Sequence, residues 1–135
     1  MDRVLIHFEP TQKQILIYAL PLIEANRDQI SPHFGEAPHF KLVSTRAKDK
    51  KAMEQKIIEN PFSQVGHGKG ILVAEFLNKH FIDVVVTKES FEGKGPYYVF
   101  SNAAVEHLQT EKETVEEALC HLGIRFDPAE IRTPQ

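Results

Sequence analysis

The chain has a single cysteine, Cys120, so no intramolecular disulfide can form, and the expected setting is a reducing one. It has no apolar run long enough to cross a bilayer as a helix. It also lacks a block of basic residues. Lys48, Lys50 and Lys51 come nearest to one, but Asp49 interrupts them and a solvated turn accounts for them. With a net charge of -3, a nucleic-acid backbone is not the expected partner, because phosphate binding asks for a concentrated Lys/Arg face. Neither a signal peptide nor a lipidation motif is visible, and a cytoplasmic location without direct membrane insertion is expected. At 135 residues, with 41% hydrophobic residues, the chain has the size and composition of one soluble globular domain.

What the sequence does have is concentrated in residues 29–40, QISPHFGEAPHF. Pro32 and Pro38 remove backbone donors and fix local angles, which marks a shaped loop. Gly35 allows a turn within it. His33 and His39 carry nitrogen lone pairs suited to borderline metals, so the loop is a candidate ligand site. The alternative is that the prolines and phenylalanines anchor a long connection and the histidines are surface polar groups.

Around this loop the pattern is that of an α/β domain. Residues 15–23 (ILIYALPLI) are apolar on both faces, as in a central strand, with Pro21 at its end or at a bulge. Residues 40–44 and 53–59 alternate and form an antiparallel hairpin across a turn at 46–51, which Asn60-Pro61 terminates. Three glycines in residues 62–70 (FSQVGHGKG) precede a helix over 70–80, with Leu72, Val73, Phe76 and Leu77 on one face. His67 and Lys69 therefore stand at a helix N-terminus, where exposed amides favour anions. GHGKG lacks the spacing of a phosphate loop and the Ser or Thr after its lysine.

Residues 83–87 (DVVVT) follow as a parallel strand of a β-α-β unit, and the loop 88–96 (KESFEGKGP) leaves its carboxyl end, where ligands gather in open α/β sheets. Pro96 suits the first turn of a helix through Ala104, with Tyr97, Tyr98 and Phe100 as an aromatic packing face. A short strand over 105–109 comes next. Thr114 and Glu117 form a capping box for a last helix ending at Gly123, from whose apolar face Cys120 projects away.

The string ISPHFGEAPHFKLV (30–43), IENP (58–61), His67-Gly68 before a helix, FLNKHFIDVVV (76–86) and TVEEAL (114–119) together resemble the dinitrogenase iron-molybdenum cofactor biosynthesis family. The resemblance spans residues 15–122. It implies an α/β fold with a ribonuclease-H-like motif, a five-stranded mixed sheet of order 3-2-1-4-5 flanked by helices, and binding of an iron-sulfur or iron-molybdenum type cluster or its precursor; on the histidines alone, a divalent metal ion is the other expected cofactor. Lys88 and Glu89 stand where that family usually has glycines, which narrows and charges the pocket. Residues 3–10 (RVLIHFEP) resemble the terminal strand of the cytoplasmic domain of cation diffusion facilitator (cation efflux) transporters. That second resemblance implies a membrane transporter as parent chain, with His7 and Glu9 at positions that can ligand zinc.

The expected division is an appendage at 1–13, the cofactor-family domain at 14–124 and a tail at 125–135. The expected function is non-enzymatic metal or metallocluster binding, and the alternative is a regulatory or dimerisation domain of a transporter. A ribonuclease-H-like nuclease is not expected, since the first core strand carries none of the carboxylates that two-metal chemistry uses. Ser31, His33, Phe34, Gly35, His39, Gly68 and Glu89 are the expected binding residues, with His33, His39 and His67 as metal ligands that three loops bring together.

Overall fold

The structure is a computed structural model that describes residues 13–126. The appendage with His7 and Glu9, and the tail beyond Phe126, lie outside the described residues. The elements run β1 (Ile15–Leu22), β2 (His39–Arg46), β3 (Lys51–Glu59), α1 (Lys69–Asn78), β4 (Val84–Thr87), α2 (Gly95–Asn102), β5 (Glu106–Gln109) and α3 (Val115–His121). The five strands form one mixed sheet of order β3-β2-β1-β4-β5, as the sequence leads one to expect. β1 pairs antiparallel with β2 and parallel with β4, and β5 extends the parallel half.

From Tyr18 onward the apolar β1 is buried on both sides, because each face of the sheet carries its own core. Ala19, Phe40, Leu42 and Val85 pack under α1 and α2 with Val73, Leu77 and Phe100. Tyr18, Leu20, Leu22, Val84 and Val86 pack under α3 with Val115, Ala118 and Leu119. Alternation along the strands thus divides the apolar set between two layers. Pro21 is tolerated because it lies one residue from the strand end, beyond the Tyr18 and Ala19 pairings with β4, and its carbonyl still accepts Ser31 N–H at 2.8 Å.

Two local expectations change. The hairpin strands reach Arg46 and Lys51, so the turn contracts to residues 47–50. It is closed by the Arg46–Asp49 ion pair at 2.9 Å and by Lys50 at φ 57°, and a register shift at Ser44/Thr45 hides the strand's continuation from a period-two reading. On α2 only Phe100 of the three expected aromatics is buried, while Tyr97 and Tyr98 are 46% and 57% exposed. Tyr98 and Phe100 are about 200° apart on a helix of 3.6 residues per turn, so they cannot share a face. Past α3, Arg125 forms a parallel bridge to Lys51, tying the end of that helix to the hairpin. No helix among the described residues is long and apolar enough to cross a membrane.

Candidate functional site

Strand directions bring three loops to one edge of the sheet. Leu22 at the end of β1 faces His39 at the start of β2, which faces Glu59 at the end of β3. Because β4 runs parallel to β1, the segment after Thr87 leaves at the same edge. The loops after β1 and β4, together with the first residues of α1 and α2, border a cavity of about 270 Å³, lined by His33, Phe34, Gly35, Glu36, Lys69, Gly70, Glu89, Phe91, Lys94 and Pro96.

Its floor is aromatic. The Phe34 ring meets Phe40, Phe91 and Phe100 edge-on, with centroids 5.5, 4.9 and 5.9 Å away. Such pairs add about 0.5–1.5 kcal/mol beyond area burial, so the loop is anchored from beneath. Asn60 fixes it from the side, its amide donating to the Gly35 and Ala37 carbonyls at 3.1 and 2.7 Å. The Ser31 hydroxyl holds the turn itself, accepting His33 N–H at 3.1 Å and donating to the His33 carbonyl at 2.9 Å.

Close approach explains Gly35 in the wall and Gly95 beside it. A Cβ on Gly35 would stand 2.9 Å from Lys69 Cγ, and one on Gly95 would stand 2.5 Å from Ile71 Cγ1. Bare backbone at these positions lets the Lys69 stem cross the loop and the N-termini of α1 and α2 converge. Neither terminus has a side-chain cap or an acidic residue in its first turn. Their residues Lys69, Gly70, Lys94 and Pro96 all line the cavity. The site therefore brings together two helix N-termini and two lysines, features that attract negative charge, but in α2 Pro96 carries no N–H and the Tyr97 N–H is taken by the Lys94 carbonyl at 3.1 Å. Two carboxylates accompany the lysines. Glu36 lies 3.4 Å from Lys69 Nζ, and Glu89 Oε1 accepts Phe34 N–H at 2.7 Å.

Behind Glu89 lies a histidine that the sequence reading did not single out. Thr87 Oγ1 donates to the Glu89 carbonyl at 2.7 Å, so its remaining contact, His107 Nε2 at 2.7 Å, must be the donor of that bond. The His107 ring stacks on Phe91 with centroids 4.2 Å apart. Burial pushes the His107 pKa below its ordinary value, partly offset by its interactions with Glu89. Strand alternation was the available signal: His107 falls on the same face as buried Val105, the side covered by α1 and α2.

The expected site residues divide. His33, Phe34, Gly35 and Glu89 line the cavity, Phe34 through a fully buried ring that leaves its amide at the wall. Ser31 is buried and shapes the turn. Gly68 is the exposed N-cap of α1 at φ 70°, a conformation that suits glycine. His67 is exposed one residue earlier, and neither residue lines the cavity. His39 opens β2 with its Nδ1 buried and without a hydrogen-bond partner, also outside the cavity wall.

His33, His39 and His67 are thus not gathered into one ligand set. Among the described residues no group of three or more His, Cys, Asp or Glu side chains is placed to hold a metal ion. The physical reason is register: His39 is paired in the sheet between Leu22 and Glu59, whereas His33 and His67 stand on the loops above it.

Comparison with solved structures places the fold. The protein PH0822 superposes with a TM-score of 0.65 at 18% identity, covering 84% of this chain and 97% of that one. The apo form of the orange protein from Desulfovibrio gigas gives 0.62 at 24% identity, covering 78% and 85%. A Methanocaldococcus jannaschii protein with a provisional dinitrogenase name gives 0.55 at 18% identity, covering 82% and 89%. No curated protein matches the chain significantly. The family model described as dinitrogenase iron-molybdenum cofactor matches residues 17–123, from the third residue of β1 to the glycine after α3. On that match, which takes in all five strands and the three helices, the chain belongs to the dinitrogenase iron-molybdenum cofactor family.

Proposed function

We propose that this domain is a non-enzymatic receptor for an anionic, metal-containing cluster of the iron-molybdenum or iron-sulfur type, or for its metalate precursor. The observation that carries the reading is the convergence of two uncapped helix N-termini with Lys69 and Lys94 on one cavity. Main-chain amides and ammonium groups bind negative charge without needing a coordinate bond. The donor set fits that mode and not thiolate ligation, since Cys120 is exposed on α3, the helix that covers the opposite face of the sheet. His33 is the imidazole at the cavity wall, available as a single ligand. A bare divalent cation fits poorly between two lysines, and zinc asks for three or four protein ligands.

Titration of the purified domain with molybdate and tetrathiomolybdate tests this reading. Saturable binding that weakens in K69A, K94A and H33A is expected; absent binding, or binding indifferent to all three changes, overturns it. As the setting we propose the soluble part of a cation efflux transporter, on the strength of residues 3–10. The alternative of a regulatory or dimerisation domain that takes no cluster is favoured by one feature, the Glu89 carboxylate already bonded inside the cavity. Deletions that change transport while the isolated domain binds no metalate support that alternative.

A further inference from the structure

We infer that Glu89 is an internal competitor for the cavity: its carboxylate takes the Phe34 amide that an anionic guest would use, so a guest must displace it to bind. The inference rests on the anion-receptor reading above and names how that site is regulated.

Both ends of the contact are held in place. The Phe34 amide is aimed by a ring that is 1% exposed and wedged among three other phenylalanines. The Glu89 main chain is fixed by the Thr87 hydroxyl at its carbonyl, and Thr87 is itself held by His107. The 2.7 Å bond joins residues 55 apart in sequence and is charge-assisted, the stronger class of hydrogen bond. Adjacent Lys88 does not answer this charge, since its ammonium pairs with Glu113 at 2.7 Å. Lys69 and Lys94 line the same cavity, and Glu36 reaches Lys69 at 3.4 Å. Glu89 therefore acts as a tethered anion in a site built for a free one. A guest arriving beside it meets like-charge repulsion and an occupied donor.

Two substitutions separate these effects. Glu89→Gln retains an oxygen that can accept Phe34 N–H but removes the charge; Glu89→Gly removes both. With molybdate as the probe in calorimetric titration, affinity is expected to rise about tenfold in E89Q, from loss of one nearby like charge, and further in E89G. The Phe34 amide resonance supplies a readout independent of affinity. In the wild type, molybdate should shift it as the carboxylate leaves; in E89G it should begin displaced and respond at lower molybdate concentration.

Equal molybdate affinity in wild type, E89Q and E89G would overturn the competitor role while leaving the receptor reading in place. Molybdate binding by none of the three, with each folded by its amide spectrum, overturns both. Molybdate binding that leaves the wild-type Phe34 resonance unmoved also rejects the competitor, because the guest then sits without displacing Glu89.

Discussion

The helix α3 and the pair α1 and α2 treat their N-termini in opposite ways. Thr114 accepts Glu117 N–H at 3.1 Å, Glu117 reaches back to Thr114 N–H at 3.3 Å, and two acidic residues occupy the first turn of α3. Asp28 adds a further acceptor, to Glu116 N–H at 3.1 Å. The donors of α3 are thus satisfied by its own chain. At α1 and α2 no side chain caps the first turn, no acidic residue complements the dipole, and lysines stand in that position. The same fold therefore shows what a purely structural helix start looks like and, beside it, two starts without side-chain caps whose first residues border a cavity.

That contrast can be broken in order of expected effect. Phe34→Ala removes the ring that anchors the cavity loop and should cost about 3–5 kcal/mol in urea unfolding. Hydrogen exchange should locate the loosening at the loops after β1 and β4, with α3 protected longer. Thr114→Ala removes the cap of α3 and should cost about 1 kcal/mol while leaving molybdate binding unchanged. Lys94→Asp is the converse test. Lys94 already has N-cap geometry, at φ -111° and ψ 163°, so aspartate there should cap α2 through the Tyr97 N–H and stabilise the domain by about 0.5–1 kcal/mol. The same change should abolish molybdate binding by placing a carboxylate at the cavity rim. A variant that gains stability and keeps its binding would show that the uncapped termini are not what receives the anion.

A smaller effect concerns His107, whose folded pKa lies below 6.5 because burial disfavours the charged ring. Between 6.5 and that lower value the unfolded chain binds more protons, so stability should fall as pH drops through this window and level off beneath it. His80, also lowered by burial and by Lys56, adds to the slope. His107→Phe, which can keep the stack on Phe91, should flatten part of the decline in thermal unfolding between pH 7 and pH 5.5. Asp49, held near 2 by its Arg46 hydrogen bond, loses its contribution only as pH falls below 3.8 and does not confuse that measurement.

Much of the architecture was legible because it rests on local pattern. The two-sided apolar run of β1, the glycine-rich approach to α1, the β-branched β4 and the Thr114–Glu117 box each carry their meaning in a few adjacent residues. The loop of residues 29–40 was legible as a site wall for the same reason. Its chemistry was less so. Histidine content suggested a coordination site, but the described residues bring no three such side chains together, and His39 lies in the sheet, outside the cavity wall that His33 helps to form. The loop that holds Lys94 was legible as a wall at the carboxyl end of β4, but the Phe34–Glu89 bond joins two loops that no local pattern links.

The central claim is that the cavity bordered by the loops after β1 and β4 and by the start of α1 receives an anion through Lys69, Lys94 and the helix starts they occupy. Calorimetric titration of wild-type protein and the K69A/K94A double variant with molybdate is its most direct test. Saturable one-site binding by the wild type, lost in the double variant with the unfolding midpoint essentially retained, is the predicted result. Equal binding by the two proteins would contradict it.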